Sequence, residues 1–296
     1  MRQLRLPLLA VLFLSLSACL NHFVFHPRTD PPGVRTWSET AVRGKLLIRL
    51  EWARPAGSGP FPAVIVHPEA GHVAGEMRGV VRDLAKEGYL AVAADYRREK
   101  SGIYRETLFT WQDPDDPKAV MEIVRWRPDV DPARIGLLGF SQGGVYSLLI
   151  AAYTQQAAAV VAYYPVTDFE AWLREAAGEG RGRQFVFRLI RRHFMKQSGA
   201  RDEADFAERL ARASAMRQVE ALRAPVLLIH GERDRSAGLN ESVRLAERLR
   251  ELNREVELVV IPDAGHVFNF RDREKARKAW EATIQWLDLH LRLARG

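Results

Sequence analysis

Six short apolar runs constrain this chain more than any other feature. They are Ala63–His67, Leu90–Ala94, Arg134–Leu138, Ala157–Tyr163, Ala224–His230 and Glu255–Ile261. Continuous apolar runs of this length, bounded by turn residues, are what strands buried on both faces look like. The segments between them have helical spacing. Met77, Val80, Val81, Leu84 and Ala85 share one face and Gly88 closes it, and Pro117–Trp126 and Gly144–Ile150 read as further helices. Strands alternating with helices imply a mostly parallel, doubly wound α/β sheet with right-handed crossovers. Lys45–Trp52 reads as an early antiparallel strand and Pro55–Pro62 as a loop. Lys275–Leu293 closes the chain as a helix, with Trp280 and Trp286 as packing residues. Val166–Leu222 breaks the rhythm, being long, charged and rich in helix formers, and is expected to form a helical cap after the sixth strand. The 296 residues suit one large domain, spanning 36–296.

Gly139-Phe140-Ser141-Gln142-Gly143 lies between the third of these runs and a buried helix. A serine on so sharp a strand-to-helix turn needs a strained backbone, which neighbouring glycines permit because they lack a Cβ. The turn lifts the hydroxyl above the sheet edge. Serine is a poor nucleophile until an imidazole takes its proton and a carboxylate holds that imidazole in the right tautomer. Asp234 follows the fifth run and His266 follows the sixth. Both therefore fall beyond the carboxyl ends of strands, the edge where open parallel sheets build their sites. Ser141 is read as nucleophile, His266 as general base and then acid, and Asp234 as the orienting carboxylate.

Alternatives remain at the acid. Asp234 also suits a turn or helix cap, a role open to Ser236 and Asn240 as well. Asp168, after Ala157–Tyr163, is the second candidate, whereas Asp263 is too close in sequence to His266. His67 ends an early strand, where it could line the site or be structural, and His230 reads as a buried, hydrogen-bonded residue. There is no His-Glu-x-x-His pattern and only one cysteine, so neither a metal site nor a cofactor is expected.

With the elbow, the stretches Arg127–Gly136 and Pro225–Asp234, and Gly265-His266 in order, the chain from about Leu46 to Leu291 resembles an α/β-hydrolase of the dienelactone hydrolase and prolyl oligopeptidase type. The resemblance implies a hydrolase that works through an acyl-enzyme on Ser141, cleaving an ester or the amide of a short peptide. It also implies an oxyanion hole. The first donor is the Gln142 backbone N–H, and the second comes from the loop after Ala63–His67. Many relatives have His-Gly-Gly there; this chain has Pro68, which has no N–H, so the second donor falls to Glu69 or Ala70. A glutamate in this loop is also a feature of dienelactone hydrolases, but those relatives carry a cysteine nucleophile where this chain has Ser141. A binding protein that keeps the fold without turnover is the reading from another class, and the intact Ser141, Asp234 and His266 speak against it.

The N-terminus resembles a bacterial lipoprotein signal. Met1–Arg5 is basic, Leu6–Leu16 is apolar and too short to span a bilayer comfortably, and Leu16-Ser17-Ala18-Cys19 matches a lipobox containing the only cysteine. The resemblance implies cleavage after Ala18, lipid attached to Cys19, a tether over 19–35 and a cell-envelope location. Leu20 favours the periplasmic face of an outer membrane. An ordinary secretory signal with a chance cysteine, or an uncleaved anchor, is the plainer reading.

Formal charge is +7, and removing Arg2 and Arg5 with the signal leaves +5. Mixed charges, as over Glu241–Glu251, read as a solvated helix face. Arg181, Arg183, Arg188, Arg191 and Arg192 interleave with Phe185, Phe187, Leu189, Ile190 and Phe194. An amphipathic lid helix is the first reading of that cluster and membrane-surface contact the second. No nucleic-acid motif accompanies the charge, so nucleic acid is not an expected partner.

Overall fold

The computed structural model describes residues 26–43, 46–70, 72–95, 115–177 and 181–292. Met1–Phe25, and with it Cys19, lies outside the described residues. Eight strands form one sheet: β1 (Arg35–Arg43), β2 (Leu46–Arg54), β3 (Phe61–His67), β4 (Leu90–Ala94), β5 (Val130–Phe140), β6 (Ala159–Tyr163), β7 (Val226–Gly231) and β8 (Val256–Ile261). Their spatial order is β1-β2-β4-β3-β5-β6-β7-β8. β1 and β2 pair antiparallel, as do β2 and β4, while β3 to β8 run parallel. The winding reverses between β3 and β5, so their carboxyl ends open the crevice in which such sheets place a ligand.

The expected alternation of strand and helix is present. The helices are α1 (Arg78–Lys86), α2 (Asp115–Arg125), α3 (Gln142–Thr154), α4 (Phe169–Ala177), α5 (Arg181–Ser198), α6 (Glu203–Ala213), α7 (Asn240–Glu251), α8 (Phe268–Arg271) and α9 (Arg273–Leu291). Successive strand residues point to opposite faces. Ile65, Leu137, Val160 and Leu228 therefore join the core under α2, α3 and α7. Val64, Leu138, Val161 and Leu227 join the core under α1 and α9. Val166–Leu222 forms α4, α5, α6 and a 3-10 helix over Ala215–Ala221, the cap expected after the sixth strand.

Three features depart from the sequence reading, the third being that residues 26–35, expected as part of a tether, pack on the domain. β1 is an additional edge strand where no strand is expected from the sequence. Glu241, read as part of a solvated face, is fully buried. Its carboxylate accepts the amides of Thr167 (2.6 Å) and Asp168 (2.8 Å) and so holds the chain leaving β6. The second half of the N-terminal segment is packed on the domain. The buried His26 bonds Asp83 of α1 at 2.9 Å and sets its ring edge-on to Trp280 of α9, centroids 4.4 Å apart. Among the described residues no helix is long and apolar enough to cross a membrane.

This packing fixes where the core tolerates change. Leu228→Ala, at a side chain with 0% exposure, is expected to cost about 2–5 kcal/mol in denaturant unfolding. Leu289→Ala, at 48% exposure on α9, should stay within about 0.5 kcal/mol of the parent.

Candidate active site

β5 ends at Phe140, and Ser141 makes the turn into α3 with φ 50° and ψ −112°. That is a costly conformation for a residue with a side chain. The surrounding backbone enforces it. A Cβ at Gly143 would sit 2.1 Å from the His67 carbonyl oxygen, and one at Gly139 would sit 1.9 Å from the Gly143 carbonyl oxygen. The Ser141 amide donates to the Tyr163 carbonyl at 2.9 Å, locking the turn to β6.

The three residues picked from sequence meet at the carboxyl edge. The Ser141 hydroxyl lies 3.0 Å from His266 Nε2, and His266 Nδ1 lies 2.6 Å from Asp234 Oδ2. A carboxylate accepts, so Nδ1 carries the proton and Nε2 is left to take the one from Ser141. Asp234 answers the question left open by the sequence by filling both roles. Its Oδ1 accepts the amides of Ser236 (2.8 Å) and Ala237 (3.0 Å), which shapes the acid loop, while Oδ2 serves His266. Asp168, the second candidate, caps α4 through the amides of Glu170 (3.0 Å) and Ala171 (3.1 Å). Asp263 is exposed and pairs with Arg233 at 2.5 Å.

The electrostatics separate two buried carboxyls. Burial pushes the Asp234 carboxyl up, but bonds from His230 and His266 outweigh that and hold it well below the usual carboxylate range. Glu69, 3% exposed, has no such donors; burial raises it, and its Oε2 has no hydrogen-bond partner. The two buried carboxyls are therefore shifted in opposite directions, Asp234 down by its histidine donors and Glu69 up by burial. Burial lowers the His266 pKa, yet the bond and charge of Asp234, helped by Glu69, raise it overall. His67, fully buried at the end of β3, is pushed down to about 3 by burial, and it lies outside the Ser141–His266–Asp234 relay.

Gln142 opens α3, so its N–H has no helix carbonyl to bond. Across the crevice, the His67 and Pro68 carbonyls lie against the first turn of α3 at Gly143. Among the described residues neither the Glu69 nor the Ala70 amide donates to a carbonyl. Gln142 follows β5 and Glu69 and Ala70 follow β3, so the first expected donor and both candidates for the second come just beyond the carboxyl ends of neighbouring parallel strands.

Sequence reasoning missed Tyr164 and Asn269; it read His230 as a buried, hydrogen-bonded residue, which it is, but not its approach to Asp234. The Tyr164 ring stands edge-on to His266, centroids 4.6 Å apart, with φ 39° at Tyr164 and its hydroxyl bonded to Asn269 Oδ1 at 2.5 Å. His230 Nε2 donates to the Ala237 carbonyl at 2.7 Å and lies 3.4 Å from Asp234 Oδ2, while Nδ1 bonds the Ser242 hydroxyl at 2.7 Å. One imidazole thus ties the end of β7 to the acid loop and to α7. The four-residue spacing from His230 to Asp234 was the only sequence signal for this contact, and nothing marked Asn269.

Two outcomes follow. Gly143→Ala should lower turnover at least about a hundredfold, because displacing the elbow displaces the hydroxyl. Gly238→Ala, where an added Cβ meets nothing within 4 Å, should match the parent. The pH profile of kcat/KM should lose activity as pH falls through the raised His266 pKa, since the protonated imidazole cannot accept the Ser141 proton. Asp234→Asn removes the group that raises it, so the acid limb should move to lower pH while kcat falls roughly 10⁴-fold through the wrong tautomer.

Similarity to known proteins bears on the family and the fold. An uncharacterized peptidase of Bacillus subtilis (strain 168), YtmA, is 26% identical over 256 residues, covering 86% of this chain and 93% of its own. An Escherichia coli (strain K12) chain whose carboxymethylenebutenolidase activity is itself unconfirmed is 28% identical over 262 residues, 79% of each chain. Among solved structures, Thermogutta terrifontis esterase 2 superposes with TM-score 0.65 at 20% identity, over 90% of this chain and 96% of its own. The acylaminoacyl peptidase of Pyrococcus horikoshii superposes with TM-score 0.70 at 18% identity, over 89% of this chain but only 43% of the peptidase. At such identities the structures speak for the α/β-hydrolase fold alone. The profile of the dienelactone hydrolase family matches residues 48–291, and the chain belongs to that family.

Proposed function

We propose that this chain is a serine hydrolase cleaving a carboxylic ester through an acyl-enzyme on Ser141. The observation that carries the reading is the continuous relay from Ser141 Oγ through His266 to Asp234, at 3.0 and 2.6 Å. His266 Nε2 takes the hydroxyl proton as Oγ attacks the carbonyl carbon. The oxyanion forms against the Gln142 amide and the amide of Glu69 or Ala70. His266 then gives its proton to the leaving alcohol, and the acyl group stays on Oγ. A water activated by the same imidazole releases the acid. Each transfer uses groups present in the chain, so the reaction calls for no cofactor.

A peptidase acting on short peptides is the second reading, supported by the B. subtilis relative named as a peptidase. Export and lipid attachment at Cys19 belong to the proposal as well, supported by Leu16-Ser17-Ala18-Cys19 after an apolar stretch. They place the enzyme on the envelope of a bacterial cell, on the periplasmic face of the outer membrane where there is one.

A fluorophosphonate probe is expected to label the Ser141 peptide, with labelling lost in Ser141→Ala. A panel of acyl esters and peptide amides then ranks the two substrate readings by kcat/KM. Folded protein that takes up no probe would turn the argument toward a binding role on the hydrolase fold.

A further inference from the structure

We propose that the outer face of α5 docks this domain on an anionic lipid surface, whatever becomes of Cys19. The helix Arg181–Ser198 carries six Lys and Arg residues and no Asp or Glu. One side of it is committed to the cap. Arg191 pairs with Glu170 at 2.7 Å and Glu203 at 2.9 Å, and it stacks on the Phe206 ring of α6 at 4.9 Å. Phe194 is buried against Trp172 of α4, centroids 6.0 Å apart.

The opposite side faces outward. Phe185, Arg188, Leu189, Arg192 and Lys196 are all exposed, with Phe185 at 60% and Leu189 at 44%. At 3.6 residues per turn these positions fall within an arc of about 100°. The charges of Arg192 and Lys196 are not neutralised from the neighbouring helix. Glu203 is taken by Arg191, Asp205 by Arg201 and Arg209, and Glu208 by Arg212. Arg192 and Lys196 have no ion pair among the described residues.

An aromatic and a branched side chain set among cations match one kind of partner. Nucleic acid or an acidic peptide answers the charge and leaves Phe185 and Leu189 in water. A bilayer interface answers both, with anionic headgroups over acyl chain at the depth an interfacial side chain reaches. The docked helix is also close to the chemistry. Phe194 packs on Trp172, whose Nε1 donates to the Ser236 carbonyl of the acid loop at 2.7 Å.

The test uses the full chain carrying Cys19→Ser, so that lipidation, or its failure, leaves the result unaffected. Leu189→Cys in that background receives an environment-sensitive fluorophore. A parallel sample carries it at Trp126→Cys, a position 83% exposed between the end of α2 and the amino end of β5. With vesicles of phosphatidylethanolamine and phosphatidylglycerol, emission at position 189 should shift to the blue and emission at 126 should stay put. Vesicles of phosphatidylethanolamine alone should give a weaker response. Arg192→Gln with Lys196→Gln should lower the affinity for the anionic vesicles by about 25-fold, about fivefold per charge removed. These side chains are exposed, so the thermal midpoint should match that of the parent. No shift at 189, or equal shifts at 189 and 126, overturns the proposal. The same blue shift with polyglutamate and no lipid overturns it too, in favour of an acidic protein partner.

Discussion

Everything at this site depends on a backbone contact that leaves no room for a Cβ. The first turn of α3 presses on the end of β5 and on the His67–Pro68 peptide closely enough that an added carbon at Gly139 or Gly143 would overlap a carbonyl. That contact holds Ser141 at positive φ, raises its hydroxyl over the sheet and leaves the Gln142 amide pointing out of the helix start. The strain is affordable because the two buried cores on either face of the sheet hold both sides of the turn in place. The geometry of Ser141 is thus a property of the sheet's winding, since the loops that meet at Gly143 belong to the strands on either side of the reversal.

The second layer of control is electrostatic. Asp234 spends one oxygen on its own loop and the other on His266, so the loop cannot relax without disturbing the imidazole. His230 reinforces this by bonding the Ala237 carbonyl from beneath. Burial raises Glu69, whereas Asp234 accepts from His266 Nδ1 at 2.6 Å and so fixes the tautomer. Tyr164, whose hydroxyl donates to Asn269, sets its ring edge-on to the imidazole.

The inner parallel strands were legible because burial on both faces leaves an unbroken apolar run, as in Val64–Val66 and Leu227–Ile229, whereas β8, at the sheet edge, is interrupted by Glu257 and only partly buried. The elbow, the acid and the histidine were legible because their chemistry demands particular residue types at the ends of such runs. β1 was not, because an edge strand of sequence Arg-Thr-Trp-Ser-Glu-Thr-Ala-Val-Arg buries little and is held by local pairs, such as Trp37 stacked on Trp52 at 5.7 Å. Glu241 looked like a surface charge because nothing local to α7 reveals that it faces amides more than 70 residues earlier in the chain. Tyr164 and Asn269 escaped for the same reason: an aromatic against an imidazole is a tertiary contact with no spacing of its own.

The central claim is that Ser141 accepts an acyl group because His266 and Asp234 make it a nucleophile. Rapid quenching into acid during turnover of an activated ester, followed by peptide mass spectrometry, tests it most directly. The account predicts one acyl group on the peptide containing Ser141, formed faster than it is released, and absent from His266→Ala. An acyl group on another residue, or steady product formation by Ser141→Ala at the parent rate, would contradict it.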